Sequence, residues 1–134
     1  MINLDTNTAV AFIAEGSPVR YELQAFVNKQ QMVIAQTAFN EFVNIVQYSA
    51  GSLEQTRANR FLQRVTVVPD NPSAAAQKLR PTRSLDANDI IILGTGDQMG
   101  VVTMTADAKA VRAAIAQGVY FNVYLHLPFS LTGS

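Results

Sequence analysis

The chain has 134 residues, 49% of them hydrophobic, and its ten Lys and Arg balance ten Asp and Glu. These values predict one globular domain, residues 1–134, and exclude both a disordered chain and a strongly basic nucleic-acid binder. The absence of cysteine excludes disulfides and thiolate metal sites, and a single histidine, His126, excludes sites that need two histidine ligands. No membrane span or signal peptide is visible, so we expect a soluble cytoplasmic protein whose chemistry rests on carboxylates.

The first part of the chain alternates β-branched runs with helical stretches. The predicted elements are a strand over 2–5, a helix over 6–15, a helix over 18–28, a strand over 32–35 and a helix over 37–49. Ser17 before Pro18 indicates the start of the second helix, with the proline at its first position. The third helix has one apolar stripe for burial, formed by Phe39, Phe42, Val43 and Val46.

The second part continues the alternation. The sequence of residues 52–55, Ser-Leu-Glu-Gln, has the spacing of a capping box and predicts a fourth helix. The remaining elements are a strand over 65–68, a short alanine-rich helix after Pro72, a strand over 101–105, a helix over 106–117 and a strand over 119–125. Strands separated by helices predict an α/β fold with a mainly parallel sheet of about five strands.

Residues 86–100 fit two structures. Ile90 to Leu93 could form a buried strand followed by a Gly94-Thr95-Gly96 loop, or the whole segment could be a buried helix that starts near Asp89 and ends at Gly100. Periodicity does not separate the two over four apolar residues. The first alternative predicts a nucleotide- or ligand-binding module, although the glycine spacing matches neither a dinucleotide-binding fingerprint nor a P-loop.

Four acids follow predicted strands or begin predicted helices. Asp5 ends the first strand, Glu41 lies one turn into the helix after the second, and Asp107 follows the strand over 101–105. Asp89 joins them if its segment is a helix. Ligands of open parallel sheets bind beyond the carboxyl ends of the strands, so these acids could converge there and hold a divalent cation. Each acid alone also suits a helix N-terminus, where the helix dipole stabilises negative charge.

The segments that contain these acids resemble the motifs of PIN-domain ribonucleases. The matching segments are 4–7 (Leu-Asp-Thr-Asn), 37–42 (Thr-Ala-Phe-Asn-Glu-Phe), 88–96 and 101–107, which ends in Thr-Ala-Asp. Across the whole chain, the order of elements and the length resemble the small VapC-type toxins of bacterial toxin–antitoxin pairs. The segment 88–96 is richer in isoleucine than expected for the third motif, and its glycines lower helix propensity. The aromatic tail over 120–128 matches no motif.

The resemblance implies a PIN-like three-layer sandwich that cleaves RNA with Mg²⁺ or Mn²⁺. It assigns the metal and the catalysis to Asp5, Glu41, Asp89 and Asp107. Asn7 and Thr105 would position carboxylates or contact phosphate, and Asp86 competes with Asp89 for the third acidic position, although a helix cap suits it better. The implied partners are RNA, a second copy of the chain in a homodimer, and an antitoxin protein. A PIN-like domain that acts only through protein contacts is the further alternative.

Positive charge is concentrated in residues 57–83, which contain six basic residues and one acid. Arg57, Arg60 and Arg64 are spaced for one helical face, and Arg80 and Arg83 follow. Such a basic rim beside an acidic cleft would suit an RNA backbone, although a solvated helix face gives the same pattern. His126 is interpreted as a structural residue, because one imidazole alone offers no metal site.

Overall fold

Five strands and seven helices alternate along the chain in the computed structural model, which describes residues 1–134. The strands are β1 (Ile2–Leu4), β2 (Met32–Ala35), β3 (Val65–Val68), β4 (Val102–Thr105) and β5 (Val123–Leu125). The helices are α1 (Thr6–Ile13), α2 (Arg20–Val27), α3 (Gln36–Ser49), α4 (Ser52–Leu62), α5 (Ala74–Gln77), α6 (Ala87–Met99) and α7 (Ala108–Ala116). The predicted α/β class is confirmed.

All five strands are parallel and lie in the order β3-β2-β1-β4-β5. The chain therefore builds outward from β1 to β3, then returns to place β4 on the other side of β1. Strand order reverses between β1 and β4, and in open α/β sheets the crevice beyond the strand ends at this point is the usual ligand site. Because Asn3 pairs with Thr103 and Leu4 with Met104, the two strands end level with each other.

Helices cover both faces of the sheet. Side chains alternate between the two faces along a strand, and every residue of β1 and β2 is buried, so both faces must be covered. Ile2, Leu4 and Met104 pack into the larger core with α1, α2, α3 and α4. A smaller cluster on the other side joins α5, α6 and α7 through residues such as Leu85, Leu93 and Ala114. No helix in the structure has the length and apolar character that a membrane crossing demands.

Several predicted boundaries are wrong, each for a local reason. Helix α2 begins at Arg20, because Pro18 and Val19 form a turn, and the last strand covers only Val123–Leu125 of the expected 119–125. The capping box at 52–55 does not form, since Gly51 is the N-cap and the Glu54 side chain binds other segments. Val43 remains 39% exposed, so it does not belong to the buried stripe of α3.

Residues 87–99 form a helix, which resolves the ambiguous segment. Asp86 and Asp89 form a reciprocal capping box at its start, and Gly100 ends it with a φ of 69°, a left-handed conformation that glycine adopts readily. The segment Gly94 to Gly96 is buried inside α6 and forms no loop. The phosphate-loop alternative is therefore contradicted. Gly94 is needed for packing, because a Cβ there would lie 2.5 Å from the Ala76 Cβ of α5.

Candidate active site

A cavity of about 620 Å³ opens at the carboxyl edge of the sheet, beyond the ends of β1 and β4. All four acids singled out in the sequence line it. The other polar lining residues are Thr6, Asn7, Asn44, Ser49 and Ser130, and the apolar ones are Val10, Ile45, Pro128, Phe129 and Leu131. The structure thus brings together carboxylates that are separated by up to 102 residues in the sequence.

Asp5 is the most deeply buried of the four acids, at 6% exposure, and is the N-cap of α1. Its carboxylate accepts the Thr6 N–H at 2.7 Å and the Thr105 hydroxyl at 2.6 Å. Burial raises the pKa of Asp5 to about 6, and the nearby charges of Asp107 and Glu41 contribute to the rise. The two hydrogen bonds lower the pKa but do not offset the burial.

Glu41 projects from α3 and is held by side chains of two other elements. The Thr6 hydroxyl donates to its Oε1 at 2.6 Å, and the Asn88 amide donates to its Oε2 at 3.1 Å. These contacts connect the starts of α1, α3 and α6 around one carboxylate. Neither Thr6 nor Asn88 was singled out from the sequence for this role, although both lie next to a predicted site acid.

Asp89 and Asp86 divide two roles between them. The Asp86 side chain accepts the Asp89 N–H at 2.8 Å and caps α6, while the Asp89 carboxylate accepts the Asp86 N–H at 2.9 Å. Only Asp89 lines the cavity. Burial raises the pKa of Asp89 to about 7, and the charges of Asp86, Asp5 and Asp107 add to this effect. Asp86 is therefore the helix cap, as the sequence favoured.

Asp107 is the N-cap of α7, and its carboxylate accepts the Ala110 N–H at 3.0 Å. Its own N–H donates to the Thr105 hydroxyl oxygen, whose hydrogen is donated to Asp5. Asn7 lies beside this link, and its side-chain oxygen accepts the Ala106 N–H at 3.1 Å. Thr105 and Asn7 thus hold residues 105–107, at the end of β4, beside Asp5 at the end of β1.

The donor set is chemically suited to a hard divalent cation, because it consists of oxygen atoms alone. No three acidic side chains lie close enough together to form a ready-made metal site. Mg²⁺ commonly takes one or two carboxylates and keeps several waters, so acids spread around a cavity can hold it partly through water. The raised pKa values of Asp5 and Asp89 also favour a cation at this site. Burial, and to a smaller extent the neighbouring acids, disfavours the charged form of each carboxylate, and a bound cation would relieve this.

None of the five arginines proposed for RNA binding lines the cavity. Arg57 is engaged in the fold: it forms a 2.9 Å salt bridge with Glu15 and donates to the Ile13 carbonyl, fastening α4 to the far end of α1. A role in RNA binding for the remaining arginines, Arg60, Arg64, Arg80 and Arg83, stays a prediction. Of these arginines, Arg83 lies nearest in the sequence to Asp89. It precedes Asp86, the N-cap of α6, by three residues.

The C-terminal segment 128–131 forms the wall of the cavity that no sequence motif indicated. Beyond it, the chain is anchored on Glu54, a carboxylate with no solvent exposure. Its oxygens accept the backbone N–H groups of Glu15, Thr132, Gly133 and Ser134. Gly51 lets the tail pass, because a Cβ there would lie 2.3 Å from the Gly133 carbonyl oxygen.

His126, which precedes this segment, contacts the protein with both ring nitrogens. Nδ1 is 2.8 Å from the Leu127 carbonyl oxygen and Nε2 is 2.7 Å from the Thr8 hydroxyl. Burial lowers its pKa, although the Leu127 contact raises it in part. The residue is 8% exposed and does not line the cavity, in agreement with the structural role expected from the sequence.

Comparison with known structures identifies the fold. The protein is similar to a chain of VapBC2 from Rickettsia felis bound to a DNA fragment from its promoter, with 18% identity, a TM-score of 0.62, and coverage of 96% of this chain and 100% of that one. It is also similar to a chain of FitAcB from Neisseria gonorrhoeae, with 17% identity, a TM-score of 0.65, and coverage of 92% and 96%. It is also similar to a domain of a functionally unknown protein from Methanocaldococcus jannaschii DSM 2661. The identity is 14%, the TM-score is 0.54, and the match covers 96% of this chain and 92% of that one.

These similarities show a PIN-like fold, as the sequence motifs predicted. The family model described as "Protein of unknown function (DUF1308)" matches residues 2–134. Because the match covers nearly the whole chain, this protein belongs to the DUF1308 family.

Proposed function

We propose that the protein is a metal-dependent endoribonuclease that uses Mg²⁺ or Mn²⁺ held among Asp5, Glu41, Asp89 and Asp107. The observation that carries the proposal is the convergence of these four carboxylates, from four remote segments, on one cavity at the switch point of the sheet. When bound, the cation would acidify a water molecule and stabilise the charge that develops on the phosphate.

The residues of the chain have distinct tasks in this proposal. Asp5 is held rigidly by Thr6 and Thr105 and offers a fixed anionic ligand at the base of the cavity. Glu41 is oriented by Thr6 and Asn88 toward the same space. Asp107 lines the same cavity and is linked to Asp5 through the Thr105 hydroxyl, so it would hold a second cation or orient a water molecule. Such side chains held by hydrogen bonds need little reorganisation when the substrate arrives.

The test is cleavage of a mixed RNA pool by wild type and Asp5→Asn, each with Mg²⁺, with Mn²⁺ and with EDTA. Asp97→Asn is the matched control, because Asp97 is an exposed acid of α6 that does not line the cavity. We expect metal-dependent cleavage by the wild type and the control, and a loss of at least about a hundredfold in Asp5→Asn. Cleavage that survives in Asp5→Asn or in EDTA would contradict the proposal.

The proposal includes an antitoxin and a second copy of the chain as partners. Its support is the similarity of fold to chains of VapBC2 from Rickettsia felis, found bound to a DNA fragment, and of FitAcB from Neisseria gonorrhoeae. In this setting the protein would be the toxin of a toxin–antitoxin pair, kept inactive by the antitoxin until the partner is removed.

A non-catalytic PIN-like interaction module is the second candidate. The observation that favours it is that Asp89 and Asp107 already serve as helix-capping residues, with no three acids in a ready-made metal site. Calorimetric titration with Mn²⁺ separates the two functions, because this module needs no cation. Absence of Mn²⁺ binding, together with absence of cleavage, would favour it over the nuclease.

A further inference from the structure

Asn3 is a fully buried amide in the middle of the central strand β1. Its partner on the neighbouring strand β4 is Thr103, which is also buried. This polar pair lies two residues before the hydrogen-bonded pair of Asp5 and Thr105 along the two strands. Side chains two residues apart on a strand point to the same face. The Asn3–Thr103 pair therefore lies directly behind the candidate active site, on the face covered by α6.

The Asn3 side chain connects the strand to this helix. Its Nδ2 donates to the Thr103 hydroxyl oxygen at 3.0 Å and to the Ile92 carbonyl oxygen at 3.1 Å. Ile92 follows Asp89 by three residues on α6, and Asn3 precedes Asp5 by two on β1. One amide thus joins the element that presents Asp5 to the element that presents Asp89.

Gly96 allows α6 to approach this pair. A Cβ at Gly96 would lie 2.1 Å from the Thr103 hydroxyl oxygen and 2.8 Å from the Asn3 Nδ2, far closer than any side chain tolerates. The glycine is therefore required by the close packing of helix on strand. Gly96, which lowers the helix propensity of α6, is therefore explained by the buried amide that packs against it.

The contact has a cost in stability. The Oδ1 atom of Asn3 is one of only two buried side-chain polar atoms without a hydrogen-bond partner. An unpaired buried acceptor is destabilising, and an apolar residue of similar size would avoid it. A core arranged for stability alone has no use for an amide at this position.

We propose that Asn3 is a positioning residue: together with Thr103 and Gly96, it holds α6 at the distance from β1 at which Asp5 and Asp89 act on one divalent cation. This inference rests on the proposed function, and it concerns the geometry of the same site. Asn3 does not line the cavity, so its effect passes through the placement of the two acids.

The first experiment measures Mn²⁺ binding by calorimetry and unfolding by urea for wild type and Asn3→Leu. We expect Asn3→Leu to be as stable as wild type or more stable, while its dissociation constant for Mn²⁺ rises about tenfold or more. Unchanged Mn²⁺ affinity in a folded Asn3→Leu would overturn the inference while leaving the proposed function intact. A wild type that binds no Mn²⁺ would overturn both.

A second pair of variants keeps the test decisive if Asn3→Leu fails to fold. Gly96→Ala should push α6 away from β1 and weaken Mn²⁺ binding. The double variant Gly96→Ala with Thr103→Ala should recover part of the Mn²⁺ affinity, because it removes the atom that clashes most closely. Gly100→Ala is the matched control: its positive φ makes alanine strained, but nothing lies within 4 Å, so stability falls while Mn²⁺ affinity is unchanged. Equal effects of the two glycine variants on Mn²⁺ affinity would overturn the inference.

Discussion

The carboxylate of Asp5 is in an environment that disfavours its charge. It is buried beside other acids, and its two hydrogen bonds do not restore the pKa to its ordinary value of 3.8. Burial and neighbouring acids raise the pKa of Asp89 further, to about 7. Perturbed groups of this kind cluster at functional sites, because a structure selected only for stability would avoid them.

Replacing Asp5 by Asn should stabilise the metal-free protein at alkaline pH. A pKa raised to about 6 in the folded state means that ionisation opposes folding: the penalty is absent below about pH 4, grows up to about pH 6, and is complete above it. We expect Asp5→Asn to gain about 3 kcal/mol of unfolding free energy at pH 8 and almost nothing at pH 4. Urea denaturation in EDTA measures both values.

The control for this comparison is Asp97→Asn, which should change stability little at either pH because the side chain is exposed. A metal-free Asp5→Asn that is less stable than wild type at pH 8 would contradict the assignment of uncompensated charge to this site.

Among the elements, the C-terminal segment 127–134 is irregular but is held by several hydrogen bonds to one side chain. It has no helix or strand, yet three of its backbone N–H groups, those of Thr132, Gly133 and Ser134, donate to the buried Glu54 carboxylate, which also accepts the Glu15 N–H. Burial alone would raise the pKa of Glu54, but the hydrogen bonds from Thr132, Glu15 and Gly133 outweigh it and lower the pKa below its ordinary value. The wall of the cavity therefore depends on one carboxylate of α4.

Glu54→Ala should destabilise the protein by about 3 kcal/mol at pH 7, because it leaves several buried N–H groups without an acceptor. Since the folded pKa of Glu54 is lowered, this contribution is complete above the ordinary pKa of about 4.5 and is lost as the pH falls through the folded value. The difference from wild type should therefore shrink in acid. Urea denaturation from pH 7 downward measures it.

Asn59→Ala is the matched control on α4, because Asn59 is exposed. Hydrogen exchange should show faster exchange at Thr132, Gly133 and Ser134 in Glu54→Ala and unchanged exchange in Asn59→Ala. Unaltered protection of these amides in Glu54→Ala would show that the tail is held by other contacts.

At the scale of the whole molecule, the order of the strands is what assembles the site. Because β4 lies beside β1, the residues that follow the two strands meet at one edge, and α3 and α6 begin at that same edge. The positive segment 57–83 does not share this edge as a unit, since Arg57 binds at the opposite end of α1. Arg57 is therefore committed to the fold, and a basic rim formed by Arg60, Arg64, Arg80 and Arg83 stays a prediction.

The proposed toxin-type assembly predicts a homodimer in solution. Size-exclusion chromatography with light scattering should give about twice the chain mass of 14.6 kDa, without dependence on Mg²⁺. A mass equal to one chain across micromolar concentrations would remove the dimer from the proposal, and would leave the nuclease test unaffected.

The α/β class, most of the helices and strands, and the four acids that line the cavity could be predicted from the sequence, because they depend on local patterning, turn residues and short motifs. It did not decide whether 90–93 is a strand or a helix, since four apolar residues satisfy both periods, and only the packing of α6 on Asn3, Thr103 and Ala76 settles it. The roles of Glu54, Asn3 and the segment 128–131 also came from the tertiary structure alone. Each acts through partners tens of residues away, and such contacts leave no local pattern in the sequence.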